Sequence, residues 1–467
     1  LETSSKWALS RRVFKLIHEY IHQRPIAADT YLFEGSAYDL GWDGSRLPPP
    51  MNIPLIPTFD HAVYLINTVK FHCSRVFHLF DEESFSQYLH EFYADPTSHI
   101  AAADLRYIHL LLIFAFGKAF AEKNSFKANR LPQTDYFVTA LRLLPSFHIL
   151  VHKPLISTEI LCCIGLYFQC LNYWRSSYCF IGQAMKVALE HGMHRNIRHG
   201  HLEDHKPERS RRIWWTVYLL DCGTTSLMRL PQSIEDNVVC SQLPHFNGTA
   251  DQVEALKIQI QLYRSIASTN RGVYKSNGRF NKMLLLTTKK VLENIAGLTD
   301  ELQRMFPLTV DKTIGISRTS GYLHLLYHQC IALATRPLLL CFLKIRFQSP
   351  NLAAEVFKPS QTAWNLVKMC IDSSCKMIHI LGCLQSQGLL EIFLPFDLEF
   401  LFVSSLNLLI APVLDSRLLE HDVSFRQKSY AIFNEMVGSG NPIAVPRQSE
   451  LQQLDDMLSR LSRDGTD

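Results

Sequence analysis

The sequence has 467 residues, of which 47% are apolar and 19% are charged, against a charged share of roughly 25% in average proteins. This much apolar surface offsets the entropy cost of ordering, so the composition excludes extensive disorder. The net charge of +4 is too small for the whole chain to coat a nucleic acid. The length predicts about two to four domains, with one large helical body as the alternative.

The 12 cysteines lie mostly inside apolar segments, such as Leu161-Cys162-Cys163-Ile164, and this placement favours buried free thiols. No two cysteines have the C-x2-C spacing of zinc fingers or zinc ribbons. The chain begins at Leu1 without a secretory signal, which favours a reducing compartment. Since no initiating methionine is present, we expect further sequence upstream.

Helical periodicity begins at residues 6–23 and is interrupted by a Pro- and Gly-rich connector over residues 25–57. From Thr58 onward, helical patterns follow one another almost without a break. Ser157 or Thr158 would cap one of these helices. The remaining predicted helices are 83–93, 105–120, 157–174, 177–191, 208–222, 252–276, 280–306, 317–346, 360–388 and 397–409.

A break is predicted at residues 437–446, and Ser449-x-x-Gln452 then matches a capping box. Leucines follow at heptad spacing, but two heptads are too few for a coiled coil. We expect a terminal helix docked on the body, with an assembly helix as the alternative. The leucines of this pattern are Leu451, Leu454, Leu458 and Leu461.

Alternation with period two is rare and short, so the sequence predicts an all-α fold: a large multi-helix body of stacked helix pairs without a substantial β-sheet. The predicted parts are an N-terminal helix and connector (1–57), a main domain (58–436) and a terminal helix after a break (437–467). The apolar stretch 389–414 contains three carboxylates, so we interpret it as a buried helix and expect no membrane contact.

Histidines and acids in apolar surroundings are the next candidates for chemistry. The cluster His191, His194, His199, His201 and His205 lacks a complementary cysteine or carboxylate, so no metal site is predicted. His324 and His328 lie one helical turn apart and are interpreted as core histidines. Nucleophile elbows and phosphate-binding loops are absent, so no catalytic residue is assigned.

The segment Arg211-Arg212-Ile213-Trp214-Trp215 predicts a helix whose aromatic side chains pack against a neighbour and whose arginines form salt bridges. Asp221 at its end needs a partner, because an unpaired buried charge is costly. Nearby acids interrupt the local cluster of basic residues, so a nucleic-acid surface is not favoured.

The sequence here resembles the fungal-specific transcription factor domain, the middle homology region of fungal zinc-cluster regulators. Further similar stretches extend over about residues 47–414, including 184–195 and 322–338. Cys222, Met228 and Leu230 depart from the pattern of the family. The residues that carry the signature are Arg211, Arg212, Trp214, Trp215, Tyr218, Asp221, Arg229, Pro231 and Asp236.

The resemblance implies a helical regulatory domain that senses an effector and restrains activation in the nucleus, within a gene cluster or nutrient pathway. It implies no cofactor in this chain, because the zinc would belong to an upstream DNA-binding module. Expected partners are DNA through that module, a small-molecule effector, and a homodimer or coregulator. We expect a pocket near Met228, His324, His328 and Arg336.

Two alternatives remain open at this stage. The first is an enzyme or small-molecule binder built on the same scaffold after loss of DNA binding, which the altered turn at residues 228–230 would favour. The second is a scaffold protein that assembles through the helix of residues 451–461.

Overall fold

The computed structural model describes residues 6–23, 54–121, 134–196, 205–245, 250–273, 282–308, 315–348, 361–419 and 424–464. Within these ranges the regular structure is α-helical, with two short 3-10 helices and no strand. The predicted all-α fold class is therefore confirmed.

The helices of the first half begin close to the predicted positions. They are α1 Lys6–His22, α2 Phe59–Cys73, α3 Glu82–Ala94, α4 Pro96–Ala102, α5 Leu105–Ala121, α6 Thr134–Leu143, α7 Phe147–Leu150, α8 Pro154–Cys170, α9 Trp174–Glu190 and α10 His205–Met228. The second half continues with α11 Ala250–Gly272, α12 Lys282–Ala296, α13 Thr299–Met305, α14 Arg318–Gln348, α15 Gln361–Ser386, α16 Phe396–Leu414, α17 Phe425–Gly438 and α18 Ala444–Asp464.

The chain divides into two compact units. Unit 1 takes its residues from 1–32, 226–231 and 257–467, and unit 2 takes its residues from 33–225 and 232–256. The three parts predicted from the sequence have other boundaries, at 57/58 and 436/437, and remain a prediction of domain organisation.

In unit 2, α5 is the central helix and packs against α2, α6 and α8, while α8 and α9 form an antiparallel pair. Nearly every side chain of α5 and α8 is buried, as the apolar sequences of these helices predict. Helices α2 and α5 approach each other closely at Gly117, where an added Cβ would lie 2.6 Å from the carbonyl oxygen of Leu65.

In unit 1, α14, α15 and α16 pack against one another, and α18 packs against α16 and α17. Leu451, Leu454 and Leu458 are buried, so α18 is docked on its own unit as expected. The burial of these leucines gives no support to the scaffold alternative, which requires them for assembly.

Two predicted helix caps are wrong. Helix α8 begins at Pro154, one turn before Ser157, because proline fits the first helical position, where no amide donor is needed. Helix α18 begins at Ala444, so Ser449 lies inside it. Asn441 accepts hydrogen bonds from the N–H groups of Ile443 (2.9 Å) and Ala444 (3.2 Å) where the chain enters this helix.

Helix α16 is long and apolar enough to cross a membrane by length and composition, but 83% of its apolar window is buried within the protein. Asp397 in its first turn is fully buried and bonded to Arg318 at 2.9 Å. Both observations favour the interpretation of this segment as a core helix.

Gly117→Ala is expected to lower the free energy of unfolding by about 1–3 kcal/mol, because the new methyl group meets the backbone of α2. Gly182→Ala in α9 is the matched control, since nothing lies within 4 Å of its Cβ position. The control is expected to be neutral or stabilising by up to about 1 kcal/mol. Urea unfolding checks both, and equal stabilities of the two variants would contradict the close packing of α2 on α5.

Candidate functional site

Helix α10 carries the Arg-Arg-Ile-Trp-Trp signature. Its second half is joined to the segment 232–245 by hydrogen bonds to two carboxylates. Asp221 accepts hydrogen bonds from the N–H (3.1 Å) and the hydroxyl (2.6 Å) of Ser233. The hydroxyl of Tyr218 donates to Asp236 at 2.5 Å. Burial raises the pKa of Asp221, and the two bonds from Ser233 offset part of this effect.

The first half of the signature holds the other end of the same segment. The indole N–H of Trp215 donates to the carbonyl of Gln242 at 3.0 Å, and Arg211 donates to the side chain of Gln242 at 3.1 Å. Arg212 donates to the carbonyl of His245 at 3.0 Å. Five predicted signature residues of α10 therefore share one structural task, which is to fasten the segment 232–245.

Glu208 and Trp214 complete this arrangement. Glu208 accepts a hydrogen bond from the N–H of His245 at 2.7 Å and forms an ion pair with Arg211. Trp214 is fully buried, with its ring centroid 5.8 Å from that of His194.

The turn after α10 belongs to unit 1 and contains the remaining signature residues. Met228 is the last residue of the helix, and Arg229 adopts the left-handed conformation with φ 60°. Pro231 follows in an exposed position.

An ion pair that the sequence analysis missed lies beneath the signature. Glu159 of α8 is 1% exposed, and its carboxylate accepts hydrogen bonds from Arg209 at 2.6 and 3.0 Å and from His78 at 3.0 Å. Burial alone would raise the pKa of Glu159, but the bonds from His78 and Arg209 and their charges lower it to about 2. A lone glutamate within the apolar run of α8 is the sequence signal that could have revealed this pair.

Two cavities lie in unit 2 on either side of Arg209. The polar cavity has a volume of about 600 Å³ and is lined by the chain entering α3 and by α10, including His78, Arg212 and Trp215. The signature helix therefore forms part of its wall.

The apolar cavity has a volume of about 500 Å³. Its lining shares Asp81, Ser84 and Arg209 with the polar cavity and adds charged groups such as Lys153. This cavity is not predictable from the sequence, because its walls come from helices that are distant in the chain. The apolar side chains of its lining are Phe85, Tyr88, Leu105, Pro154, Leu155 and Ile156.

The predicted pocket residues of unit 1 occupy other places. The Nε2 group of His324 donates to the carbonyl of Phe306 at 2.8 Å, and His328 lies 3.4 Å from the hydroxyl of Ser373. Burial lowers the pKa of His324 and lowers that of His328 to about 3. Neither cavity described above is lined by these histidines, and a pocket at this place remains a prediction.

Arg336 of α14 is also one of the four predicted pocket residues, and its side chain is 1% exposed. Its Nε and Nη2 atoms have no hydrogen-bond partner among the described residues. Its charge lies near Cys370 of α15. A buried guanidinium without a bonded carboxylate costs stability.

The described residues contain no group of three or more histidines, cysteines or acids that could hold a metal ion. His199 and His201 of the histidine cluster lie outside the described residues. Most of the cysteines are buried free thiols, while Cys179 and Cys240 are exposed.

Comparison with known proteins identifies the class. The family model of the fungal specific transcription factor domain matches residues 64–307, slightly more than half of the chain. These residues include the signature of α10 and both cavities. The chain belongs to the fungal-specific transcription factor domain family.

The relatives carry the names of transcriptional regulators. An uncharacterised transcriptional regulatory protein of Schizosaccharomyces pombe is 25% identical over 76% of this chain and 45% of its own length. A regulatory protein of thiamine-repressible genes from the same yeast is 22% identical over 65% of this chain and 39% of its own length. Activator of stress genes 1 of Saccharomyces cerevisiae is 25% identical over 43% of this chain and 21% of its own length.

The chain thus spans less than half the length of these relatives. No solved structure matches it significantly. The enzyme alternative gains no support from the relatives, because the names they carry are those of transcriptional regulators.

Glu159→Gln is expected to lower the free energy of unfolding at pH 7 by about 3 kcal/mol, the equivalent of a pKa lowered from 4.5 to about 2. Because the folded-state pKa is below the unfolded value, this stability is present above pH 4.5 and is lost as the pH falls toward 2. The difference between wild type and variant should therefore shrink over this range in urea unfolding. Glu190→Gln, at an exposed position, should show no such trend. A difference independent of pH would contradict the ion pair.

Arg318→Met and Arg336→Met compare two arginines of α14. Arg318 neutralises the fully buried Asp397, so its loss should cost about 3–5 kcal/mol of unfolding free energy. Arg336 has no bonded carboxylate within the part of the chain that the structure describes, so Arg336→Met should raise the free energy of unfolding by about 1–2 kcal/mol. Urea unfolding of both variants checks this, and equal losses would show that Arg336 is neutralised in solution.

Proposed function

We propose that the chain is the regulatory domain of a fungal transcription factor and that it senses a small-molecule effector in the apolar cavity of unit 2. The full protein acts in the nucleus and contacts DNA through a separate zinc-cluster module. The observation that carries the sensing role is the apolar cavity of about 500 Å³, a volume and lining typical of small-molecule sites.

The position of Arg209 supports a coupling between binding of the effector and the position of the signature helix α10. Arg209 lines both cavities, and Arg212, one turn later on α10, lines the polar cavity and bonds the segment 232–245. A ligand that contacts Arg209 can bias α10 through its competition with Glu159 for the guanidinium. Ligand-biased shifts of helices are an established mode of switching, provided that the ligand binds one arrangement more tightly.

The test is a thermal-shift screen of fungal metabolites on the purified chain, because a ligand present at 100 times its Kd stabilises the native state by about 2.7 kcal/mol. Leu155→Trp fills the apolar cavity, and Ile149→Trp places the same side chain on a half-exposed position outside both cavities. We expect at least one metabolite to raise the Tm of wild type and of Ile149→Trp but not of Leu155→Trp.

A reporter assay then tests regulation. The chain is fused to a heterologous DNA-binding domain, and the metabolite found in the screen is added to cells that carry the reporter. Expression should change with wild type and with Ile149→Trp and stay constant with Leu155→Trp. Stabilisation that persists in Leu155→Trp, or a reporter that ignores the ligand, would refute effector sensing by this cavity.

A further inference from the structure

The outer face of helix α2 carries two large aromatic side chains that the protein leaves in solvent. Tyr64 is 54% exposed and Phe71 is 63% exposed, while the inner face of the helix packs against α5. Single exposed apolar side chains are ordinary on protein surfaces. Two aromatic rings two turns apart on one helix face form a common apolar surface, and aromatic side chains are enriched where proteins associate.

Both rings are held in place by neighbouring rings. The ring of His61 stacks on that of Tyr64, with 5.9 Å between centroids. His72 stacks on the buried Phe120 at 4.4 Å and contacts the ring of Phe71 edge to face at 5.1 Å. Side chains that are already ordered lose little conformational entropy when a partner binds them.

The same helix face continues to both ends of α2 with opposite charges. Asp60 lies in the first turn, and Arg75 lies just after the last turn, where Ser74 keeps helical angles. Both charged side chains are exposed. Between the rings, the hydroxyl of Thr68 donates to the carbonyl of Tyr64 at 2.8 Å, so this donor stays satisfied when a partner covers it. The residues of this face, called the α2 stripe below, follow one another at three or four positions and are Asp60, Tyr64, Thr68, Phe71 and Arg75.

The α2 stripe is complementary to itself when two copies pack antiparallel. With the twofold axis beside Thr68, the ring of Tyr64 in one copy lies opposite the ring of Phe71 in the other. In the same register, Asp60 of one copy lies opposite Arg75 of the other. Each of these pairs then occurs twice, as an isologous interface requires.

We propose that the α2 stripe is the interface of a homodimer, in which α2 of one chain packs antiparallel on α2 of a second copy. A second copy fits better than an unrelated helix, because the charges at the two ends of the stripe match those of the same stripe reversed. A second exposed apolar pair, Met283 and Leu286 of α12, lacks this symmetry. It is flanked by Lys282 and Lys290, whose like charges oppose a twofold pairing.

The size of the contact sets its strength. Two helices of 15 residues make a contact smaller than the ~1,200 Å² of stable interfaces, and contacts of this class are weak and reversible. We therefore expect a dissociation constant in the micromolar range. The interface is separate from the apolar cavity, so the failure of effector sensing would leave this proposal unaffected.

The experiment is sedimentation velocity of the purified chain at concentrations of about 1 to 100 µM. The mean mass should rise reversibly from that of one chain toward that of two. Phe71→Glu should raise the Kd at least about tenfold, because it places two carboxylates in the apolar centre of the contact. Tyr64→Ser should weaken the dimer in the same direction. Met283→Glu is the matched control, since Met283 is 67% exposed on α12, and it should leave the Kd unchanged.

Reversal of the two charges tests the antiparallel register. Asp60→Arg and Arg75→Asp each place like charges opposite one another, so each should weaken the dimer about fivefold. The double variant restores opposite charges in the same register and should return the Kd to within about twofold of wild type. An effect of these residues on folding alone would not be reversed in this way. Thermal unfolding of every variant reports whether it is folded.

Three outcomes would overturn the proposal. The first is a monomer at every concentration. The second is a dimer of unchanged Kd in both folded Phe71→Glu and folded Tyr64→Ser, which would place the interface elsewhere on the chain. The third is a double charge reversal that dissociates as readily as the single variants, which would exclude the antiparallel pairing of α2.

Discussion

The structure of unit 2 depends on one buried ion pair. The carboxylate of Glu159 is inaccessible to water, and only its bonds to Arg209 and His78 make an ionised glutamate tolerable there. These bonds join α8, the chain that enters α3 and the first turns of α10. The signature residues begin directly after Arg209, so their register on the core is set by this pair. The same guanidinium borders both cavities.

The signature of the family has a structural explanation in this chain. Tyr218 and Trp215 each donate one hydrogen bond to the segment 232–245, and Asp221 accepts two from it, at distances of 2.5 to 3.1 Å. Apart from one short 3-10 helix at Asp236–Val238, this segment has no regular secondary structure, so it must obtain partners for its backbone from elsewhere. The arginine, aromatic and acid types in the signature are those that can supply these partners from one helix face. The residues of the motif thus attach the segment 232–245 to α10, and this shared task is why they occur together in the sequence.

The sequence predicts the fold class because helical periodicity is local, and the apolar runs of α5 and α8 report their burial directly. The starts of helices are predicted less well: Pro154 acts through its fixed backbone angle and Asn441 through two hydrogen bonds, while nearby serines offer competing caps. The apolar cavity could not be predicted, because Tyr88, Leu105 and Lys153 are brought together only by the packing of α3, α5 and α8. Glu159 carried a local signal, a charge in an apolar helix, but its partners lie 50 and 81 residues away.

The turn after α10 departs from the pattern of the family at two positions. The family has glycine and proline where this chain has Met228 and Leu230. Met228 is still helical, so it needs no glycine, and the left-handed conformation falls on Arg229, with φ 60°. A non-glycine residue in this region costs about 1 kcal/mol or more, and its surroundings must hold it there. At this turn the conformation that glycine favours therefore falls one residue after the position where the family has glycine.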